Sequence, residues 1–477
     1  MIKNTKKMAI ALTALVFCST FSVFLNGSAV AEPELPVYAE GNELWEKEFF
    51  LGSWSQPAAT DEDYQMYKDA GFNAMYIDNS ALYNTPSFKA ALDKCAKYDL
   101  KAISLQGANS RSPVSIKAQT QSLENHPAYY GVMMCDEPQG DGTTYAPVKA
   151  CVTTKRGADG NLQYTEQHDN IFKYMYSEYE YLKANQKHYN NAKYCSVVLN
   201  EGPAVGSFGY GCTKGYGEVV LKNMDPEYRA VEFDKYPYLV LKDGTFSFYQ
   251  DSLWFQMHMA DFCKQYNVGK RVYYYQQYWP TEMRQFITVQ ELTYQLYTAM
   301  AFGVNGFVAW MYQSNWDDYN ALDYGYTVSV WGPREYYFYN QQALAEIKNF
   351  DHIYLEFANN WLGVMPVVGS ENSEANFIGF NLLKGDSVFT SYEGIESITT
   401  SQDTVVGIMK DSQDRTGYMI TNQSYTFRRK SDKVKVKFNG ATKALVVEKG
   451  ETKSVDLVDG VYEAEIGCGS GVFVIPV

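Results

Sequence analysis

The feature that most constrains the fold is an alternation, from Trp45 onward, of short apolar segments with amphipathic helical segments. Such alternation is typical of parallel βα units. Eight units suit a closed barrel better than an open doubly wound sheet, so we expect an α/β fold, a (β/α)₈ TIM barrel, over residues 45–357. The predicted strands are Phe49–Trp54, Asn73–Ile77, Lys101–Leu105, Tyr129–Cys135, Tyr194–Leu199, Ala230–Phe233, Arg271–Tyr275 and Gly306–Met311.

Beyond residue 357 the pattern changes to period-two apolar alternation with turn signals, which indicates an all-β domain. The chain ends in a predicted hairpin, with strands Gly460–Ile466 and Val472–Val477 joined by a glycine-rich turn. We expect a β-sandwich over residues 358–477, either with a role of its own or only bracing the barrel. Its other predicted strands are Thr404–Met409, Gly417–Thr421, Lys433–Phe438 and Ala444–Val447.

The first 31 residues have the composition of a secretory signal peptide. Three lysines precede an apolar run from Met8 to Leu25, and Ala29–Ala31 supplies the small-residue cleavage pattern. A retained membrane anchor is the alternative, but the run is barely long enough to span and no stop-transfer charges follow it. Lipid attachment at Cys18 is disfavoured because Phe17 precedes it. Residues 32–44 would then be a linker, and the mature chain would be exported.

The charge balance excludes two classes of partner. The net charge is −14, and loss of the three leader lysines gives −17 (−14 minus 3) for the mature chain. Nucleic acids and anionic lipids are bound by clustered Lys and Arg, so neither is an expected partner. Seven cysteines remain without a Cys-x-x-Cys pair, and they are either buried thiols or include one bridge, between Cys151 and Cys212.

A pair of acids ends the fourth predicted strand, where Asp136, Glu137 and Pro138 follow an apolar run. The carboxyl ends of barrel strands form the active face, and glycosidic bonds are cleaved by two carboxyl groups. Glu137 is therefore our candidate general acid, with Asp136 orienting or binding the sugar. The alternative is a simple turn, because Asp and Pro both favour turns.

Three segments carry a family resemblance: Gly131–Pro138, Val231–Tyr238 and Glu291–Ala309. They resemble barrels of glycoside hydrolase clan A, nearest to family 42-type β-galactosidases and related uncharacterised barrels. The resemblance implies that Glu137 is the acid/base, with Asp136 where Asn is usual. It also implies a nucleophilic Glu at the end of the seventh strand, but this chain has Gln276 and Gln277 there.

Because glutamine cannot act as a nucleophile, either the second carboxylate comes from another strand end or the barrel is not a hydrolase of the usual retaining kind. Asp234, after the sixth strand, is the best candidate and Glu201, after the fifth, is the next. Weaker candidates are Asp78, Asp317 and Asp318. Each of these acids could instead be a helix cap or a loop carboxylate.

Aromatic residues make up 16% of the chain, including 41 tyrosines. Aromatic rings stack on the apolar faces of sugars, although most of these rings must simply fill the core. Gln276 and Gln277 could hydrogen-bond sugar hydroxyls. The candidate platforms near strand ends are Trp54, Tyr236, Tyr238, Tyr278, Trp279, Trp310, Tyr312 and Trp316.

The sequence gives little support for a metal site, a phosphate-binding site or a serine nucleophile. The five histidines have no metal-ligand spacing, and no phosphate loop or Ser-elbow motif is present, so no cofactor or metal is expected. The sequence therefore predicts an exported glycoside hydrolase acting on an oligosaccharide or polysaccharide. The alternatives are a carbohydrate-binding barrel without catalysis and a surface protein whose aromatic face binds another protein; the oligomeric state stays open.

Overall fold

The computed structural model describes the greater part of the chain from residue 33 to the end. The predicted signal peptide lies outside the described residues, as do Cys151 and Cys212. The described residues are 33–39, 47–54, 56–57, 59–78, 86–105, 126–136, 155–156, 162–163, 173, 176–177, 179–185, 194–199, 216–240, 246–248, 252–278, 288–312, 328–329, 332–333, 335–371, 380–424 and 430–477.

Eight parallel strands form one sheet, as the sequence predicts, and each begins and ends within two residues of its predicted bounds. Their order is β2-β3-β4-β5-β6-β7-β8-β1. The strands are β1 (Phe50–Ser53), β2 (Ala74–Asp78), β3 (Lys101–Leu105), β4 (Tyr129–Asp136), β5 (Tyr194–Leu199), β6 (Val231–Asp234), β7 (Val272–Gln277) and β8 (Gly306–Trp310).

The two edge strands of this sheet meet at their amino ends. The Asn73 N–H donates to the Leu51 carbonyl at 2.9 Å, and the Leu51 N–H donates to Asn73 Oδ1 at 2.9 Å. Strands β1 and β2 are thereby adjacent although they stand at opposite ends of the sheet order. The arrangement is consistent with a closed barrel.

The two faces of the sheet bury different side chains. On the inner face, Phe50 stacks on Tyr273 with ring centroids 4.3 Å apart and 6° between planes. Gly306 makes this stack possible, because a Cβ there would lie 2.3 Å from the Tyr273 ring. On the outer face, side chains such as Phe233 and Phe307 belong to a larger apolar cluster shared with the helices. The interior is therefore packed by large side chains rather than open.

The structure gives bounds for six helices that accompany the strands, and residues 179–184 are helical too. Thr60 caps the first of the six, since its Oγ1 accepts from the Asp63 N–H. A capping box opens the fourth, with Thr288 and Glu291 bonding reciprocally to each other's backbone N–H. The helices are α1 (Asp61–Asp69), α2 (Pro86–Lys97), α3 (Ser252–Gln265), α4 (Val289–Ala301), α5 (Glu335–Lys348) and α6 (Asp351–Ala358).

Short elements complete the first part of the chain. A π-helical turn spans Tyr216–Val220, and 3₁₀ turns span Leu221–Asn223 and Phe380–Leu382. The short antiparallel pairs are Lys155–Arg156 with Leu162–Gln163, Tyr238–Val240 with Phe246–Phe248, and Val328–Ser329 with Gly332–Pro333.

Residues 361–477, here called the β-domain, form two antiparallel sheets. Their orders are β9-β11-β12-β17-β14-β15 and β10-β13-β16. The predicted hairpin at the end of the chain is wrong, because its two strands, β16 and β17, lie in different sheets. Side chains of both sheets, among them Val406 and Val436, share one apolar cluster, which is consistent with the predicted β-sandwich. The strands are β9 (Trp361–Val367), β10 (Ile395–Thr400), β11 (Thr404–Lys410), β12 (Thr416–Asn422), β13 (Asp432–Phe438), β14 (Lys443–Glu448), β15 (Glu451–Asp456), β16 (Val461–Ile466) and β17 (Gly471–Pro476).

Helix α4 lies between the parallel sheet and the β-domain, and its residues from Glu291 to Ala301 are all buried. On one side, Gln295 bonds the backbone N–H and carbonyl of Gln277 in β7. On the other side, Tyr294 donates to Gln423 at 2.7 Å. The change to all-β structure falls between Ala358 and Trp361, yet residues 35–477 form one compact unit.

Within the described part of the chain, no helix has the length and apolar character needed to cross a membrane. The same residues contain no cluster of His, Cys, Asp or Glu suited to a metal ion. Cys95 and Cys263 are buried thiols, and burial raises the pKa of Cys95 to about 12.

Candidate active site

Strand β6 directs two acids to the inner face of the sheet. Glu232 and Asp234 are 0% and 4% exposed. Side chains alternate along a strand, so both lie on one face, while Val231 and Phe233 face the helices. Phe233 packs on Phe255 of α3 with centroids 5.8 Å apart. The apolar positions therefore hold the strand to the helix layer and leave the acids on the inner face.

Glu232 is the centre of a hydroxyl network. The Tyr76 hydroxyl of β2 donates to its Oε2 at 2.9 Å, and the Tyr275 hydroxyl of β7 donates to the same oxygen at 2.7 Å. Three strands that are distant in sequence thus converge on one carboxylate. Hydroxyl donors aimed at a carboxylate oxygen favour its ionised form.

An aromatic cluster, defined as Trp54, Tyr76, Tyr275 and Trp310, surrounds this network. Trp54 stacks on Tyr76 at 6.1 Å and 13°, and its centroid lies 6.0 Å from Tyr275 and 5.1 Å from Trp310. Trp54 is buried, whereas Trp310 and Tyr236 are half-buried against the inner-face side chains. Since Trp54 and Trp310 stand at the carboxyl ends of β1 and β8, the cluster lies at the end of the sheet where barrels bind their ligands.

The amino-terminal side of the interior is closed by tyrosines. Arg271 donates to the Tyr130 hydroxyl at 3.1 Å, and its guanidinium lies 5.8 Å from the Tyr130 ring centroid. Burial holds the pKa of Tyr273 well above its ordinary value, and the nearby charges of Tyr130 and Glu232 raise it further while Arg271 lowers it. Tyr273 therefore stays protonated at physiological pH.

Cross-strand register relates Asp136 to this network. The Cα of Asp136 in β4 pairs with Val198 in β5, and Val198 pairs with Glu232 in β6. Asp136 is thus level with Glu232, two strands away, or roughly 10 Å at ordinary strand spacing. Asp234 pairs with Tyr275 in β7, and Asp78 is the last residue of β2.

One predicted sugar contact, that of Gln277, is corrected by the structure. Gln277 is fully buried: its Oε1 accepts the Tyr238 N–H at 2.9 Å and its Nε2 donates to the Tyr238 carbonyl at 2.8 Å. Its amide therefore joins β7 to the segment after β6 and is occupied. Gln276 is 1% exposed and its Oε1 accepts from Tyr278 at 3.4 Å, but its Nε2 has no hydrogen-bond partner among the residues that the structure describes. Its predicted contact with a sugar hydroxyl stays a prediction.

Three predicted platforms are also corrected, because their rings are core residues. Tyr312 is 1% exposed and packs edge-on against Tyr67, with centroids 4.7 Å apart. Tyr278 is fully buried and donates to Asn340 of α5. Tyr238 is 3% exposed and donates to the Glu291 carbonyl at 3.1 Å. None of them offers a free ring face.

Several predicted residues lie outside the described part of the chain. They are Glu137, Glu201, Trp279, Trp316, Asp317 and Asp318. For Asp78 and Asp136, the structure describes the position in the strand but not the side chain. Of the predicted site residues, Trp54, Asp234, Tyr236 and Trp310 are brought together near the inner face.

Sequence reasoning missed Glu232. A signal was available, because a buried parallel strand is normally apolar throughout, whereas positions 232, 234 and 236 are polar or amphipathic at period two. That alternation distinguishes one face of β6 from the other.

Comparison with known proteins finds glycoside hydrolases at low similarity. No family model matches the chain, and no curated protein matches. A β-galactosidase from Bacillus circulans sp. alkalophilus is 8% identical with a TM-score of 0.49, over 90% of this chain and 99% of that one. A GH27 β-L-arabinopyranosidase from Geobacillus stearothermophilus is 12% identical with a TM-score of 0.40, over 91% and 97%.

A β-galactosidase from the psychrophilic Marinomonas ef1 is 11% identical with a TM-score of 0.46, over 65% of this chain. The chain spans 62% of the length of that enzyme. At such similarity the roles of individual residues have to be argued from the contacts of this chain alone.

Proposed function

We propose that this protein is an exported glycoside hydrolase that cleaves O-glycosidic bonds of an oligosaccharide or polysaccharide. The observation that carries the proposal is the position of Asp234, a buried acid at the carboxyl end of β6, on the same strand face as Glu232 and beside Tyr275 of the aromatic cluster. Aromatic rings bind the apolar faces of sugars, and carboxyl groups cleave glycosidic bonds.

In this proposal Glu137 is the general acid that protonates the leaving oxygen. It directly follows Asp136, whose backbone is level with Glu232 in the sheet. Asp234, or Glu201 at the end of β5, is the partner carboxylate. A separation of about 5–5.5 Å between the two carboxyl groups predicts retention of configuration, and about 6.5–9.5 Å predicts inversion.

The other residues of the proposed site bind the sugar. Trp310 and Tyr236 offer half-buried rings, with Trp54 packed behind Trp310. Asp136, Asp78 and Trp279 complete the proposed sugar contacts. The parallel sheet closes as a (β/α)₈ barrel of clan A type, nearest to family 42, and the β-domain braces it through α4. Residues 1–31 direct export and are removed.

A second candidate is a carbohydrate-binding barrel without catalysis. The observation that favours it is the pair of buried amides at the end of β7, where the clan has its nucleophilic Glu. A binding protein would keep its glycan affinity in Glu137→Gln and release no product.

The test is product release from a panel of polysaccharides and aryl glycosides by protein expressed from the full chain. We expect wild type to release sugar, and Glu137→Gln and Asp234→Asn to lose about 10²–10⁴-fold in kcat. Asp99→Asn is the matched control, an acid-to-amide change in an exposed turn before β3, at the opposite end of the strands. Glycan binding without product by wild type would establish the second candidate instead.

A further inference from the structure

Glu232 has no role in the chemistry above, and its setting is unusual for a charged side chain. It is fully buried inside the sheet, and two hydroxyls donate to one of its oxygens at 2.7 and 2.9 Å. Both donors pack on Trp54. Carboxylates are rarely buried unless something compensates their desolvation.

Building on the proposed function, we infer that Glu232 is an ionised carboxylate that stabilises the positive charge developing on the sugar ring without touching the sugar. Glycosidic cleavage passes through an oxocarbenium-like transition state. A fixed charge in a buried site interacts with developing charge more strongly than it would in water. The bound neutral sugar carries no such charge, so the effect falls on the transition state.

The groups around Glu232 agree with this assignment. Tyr76 of β2 and Tyr275 of β7 donate to it, and Tyr273 of β7 stays protonated. On the same side, Arg271 donates to the Tyr130 hydroxyl of β4 at 3.1 Å. Asp234 lies two residues further along the same strand, toward the proposed reaction site.

The expected size follows from Coulomb's law. Two residues along a strand cover roughly 7 Å, so the reacting carbon would lie about 8 Å or more from the carboxylate. At an effective dielectric constant of about 20, a unit charge at about 8 Å changes a rate roughly 30-fold. Glu232 is in this sense a positioning charge and not a catalytic residue.

The test compares Glu232→Gln with wild type in the full-length protein. Glutamine keeps the size and an acceptor for the two tyrosines but removes the charge. We expect kcat to fall about 30-fold with KM changed less than about 2-fold. Affinity for piperidine iminosugars, protonated at pH 7, should fall by a similar factor. Affinity for the matching neutral methyl glycosides should not change.

Glu346→Gln is the matched control. Glu346 is half-buried on α5, and it also accepts a tyrosine hydroxyl, that of Tyr297 at 2.8 Å, but outside the parallel sheet. Glu346→Gln should leave kcat unchanged, together with the affinities for the iminosugar and for the methyl glycoside. A purely structural role for Glu232 predicts a lower melting temperature with iminosugar and glycoside affinities lowered equally.

If Glu232→Gln does not fold, a triple variant replaces the whole network by apolar groups of similar shape: Glu232→Leu, Tyr76→Phe and Tyr275→Phe. These replacements remove the two hydroxyl donors together with their carboxylate acceptor. We expect this triple variant, like Glu232→Gln, to lose the preference for the protonated iminosugar over the neutral methyl glycoside. If wild type is active but either Glu232 variant keeps the wild-type affinity for the iminosugar, this inference is overturned and the proposed function is not. A wild type that neither cleaves nor binds any sugar overturns the proposed function and this inference with it.

Discussion

The parallel sheet and the β-domain both bury acids, but they satisfy them differently. In the β-domain, Asp432 is 0% exposed and its Oδ1 accepts the N–H groups of Ser401 and Gln402, each at 2.9 Å. In the parallel sheet, Glu232 is equally buried but accepts from side-chain hydroxyls brought in by two other strands.

The difference separates a structural acid from a candidate functional one. Asp432 satisfies the backbone of a loop, as Asp411 does when it accepts the N–H groups of Gln413 and Arg415. Folding needs such acids because buried N–H groups must be paired. Glu232 accepts instead from the hydroxyls of Tyr76 and Tyr275. Because a buried charge is often no better for stability than a well-packed apolar side chain of similar volume, this acid invites a functional explanation.

The largest expected effect is on the structural acid. Asp432→Ala removes the acceptor of the Gln402 N–H and of the Ser401 hydroxyl. The Ser401 N–H and the Thr404 hydroxyl keep second acceptors, the Lys433 and Gln402 carbonyls. At about 1–3 kcal/mol for each unsatisfied donor, we expect the free energy of unfolding to fall by about 4 kcal/mol, measured by urea denaturation. Activity per folded molecule should not change. Asp456→Ala, on an exposed strand, is the control; equal effects of the two variants would contradict the distinction.

A buried acid beside the parallel sheet should make stability depend on pH. Burial raises the pKa of Asp351 to about 7, although its carboxylate accepts from the Phe49 and His352 N–H groups. The folded state then binds more protons than the unfolded state between about pH 4 and 7. Stability contributed by this group is therefore complete below about pH 4 and is lost as pH rises toward 7, by up to about 4 kcal/mol.

Denaturation between pH 4 and pH 8 measures this dependence. Asp351→Asn cannot ionise, so its free energy of unfolding should vary less with pH than that of wild type. Parallel curves for the two proteins would show that Asp351 does not titrate in this window.

The parallel sheet's helix α4 and the β-domain approach each other closely at Gly407. A Cβ at Gly407 in β11 would lie 2.2 Å from the Ala301 carbonyl oxygen of α4. Gly407→Val should therefore push the β-domain from the helix and cost about 3 kcal/mol of stability. Gly467→Ala is the control, because a Cβ there meets nothing nearer than 4.0 Å. A melting temperature unchanged by Gly407→Val would show that the junction is loose.

The smallest expected effect compares two tyrosine–acid pairs. Tyr275→Phe removes the 2.7 Å hydrogen bond from the Tyr275 hydroxyl to Glu232 and should lower stability by about 2 kcal/mol, as for other hydrogen bonds to charged groups. Tyr38→Phe removes a 3.2 Å bond to Asp411, which keeps its bonds to Arg415 and the backbone, so we expect less than about 1 kcal/mol. Thermal denaturation of both variants measures the difference, and the reverse order would refute it.

The strands that the sequence predicted are those with apolar runs bounded by turn residues, because burial on both faces is visible in composition. Three β-domain strands were not predicted: β9, β10 and β15. Strand β15 is exposed at five of its six residues and carries no alternation, so only its pairing with β14 defines it. The capping box was predictable because it is a local contact.

The site was predictable only in part. The acids at strand ends follow from the parallel topology, which places Asp234 and Asp136 at the carboxyl side of the sheet. The burial of Tyr312 depends on Tyr67 of α1, which is far away in sequence, so no local pattern could separate a platform from a core ring. The tyrosine partners of Glu232 come from β2 and β7 and required the three-dimensional arrangement.

The enclosure of α4 bears on how such a chain can be reused. From Glu291 to Ala301 this helix is buried on every side, with Tyr294, Thr298 and Trp361 engaged across the junction, so this stretch has no face suited to water. Removing the β-domain would expose an apolar surface that favours aggregation. The parallel sheet and the β-domain therefore cannot be separated and fused to other proteins as independent domains unless another segment packs against this helix.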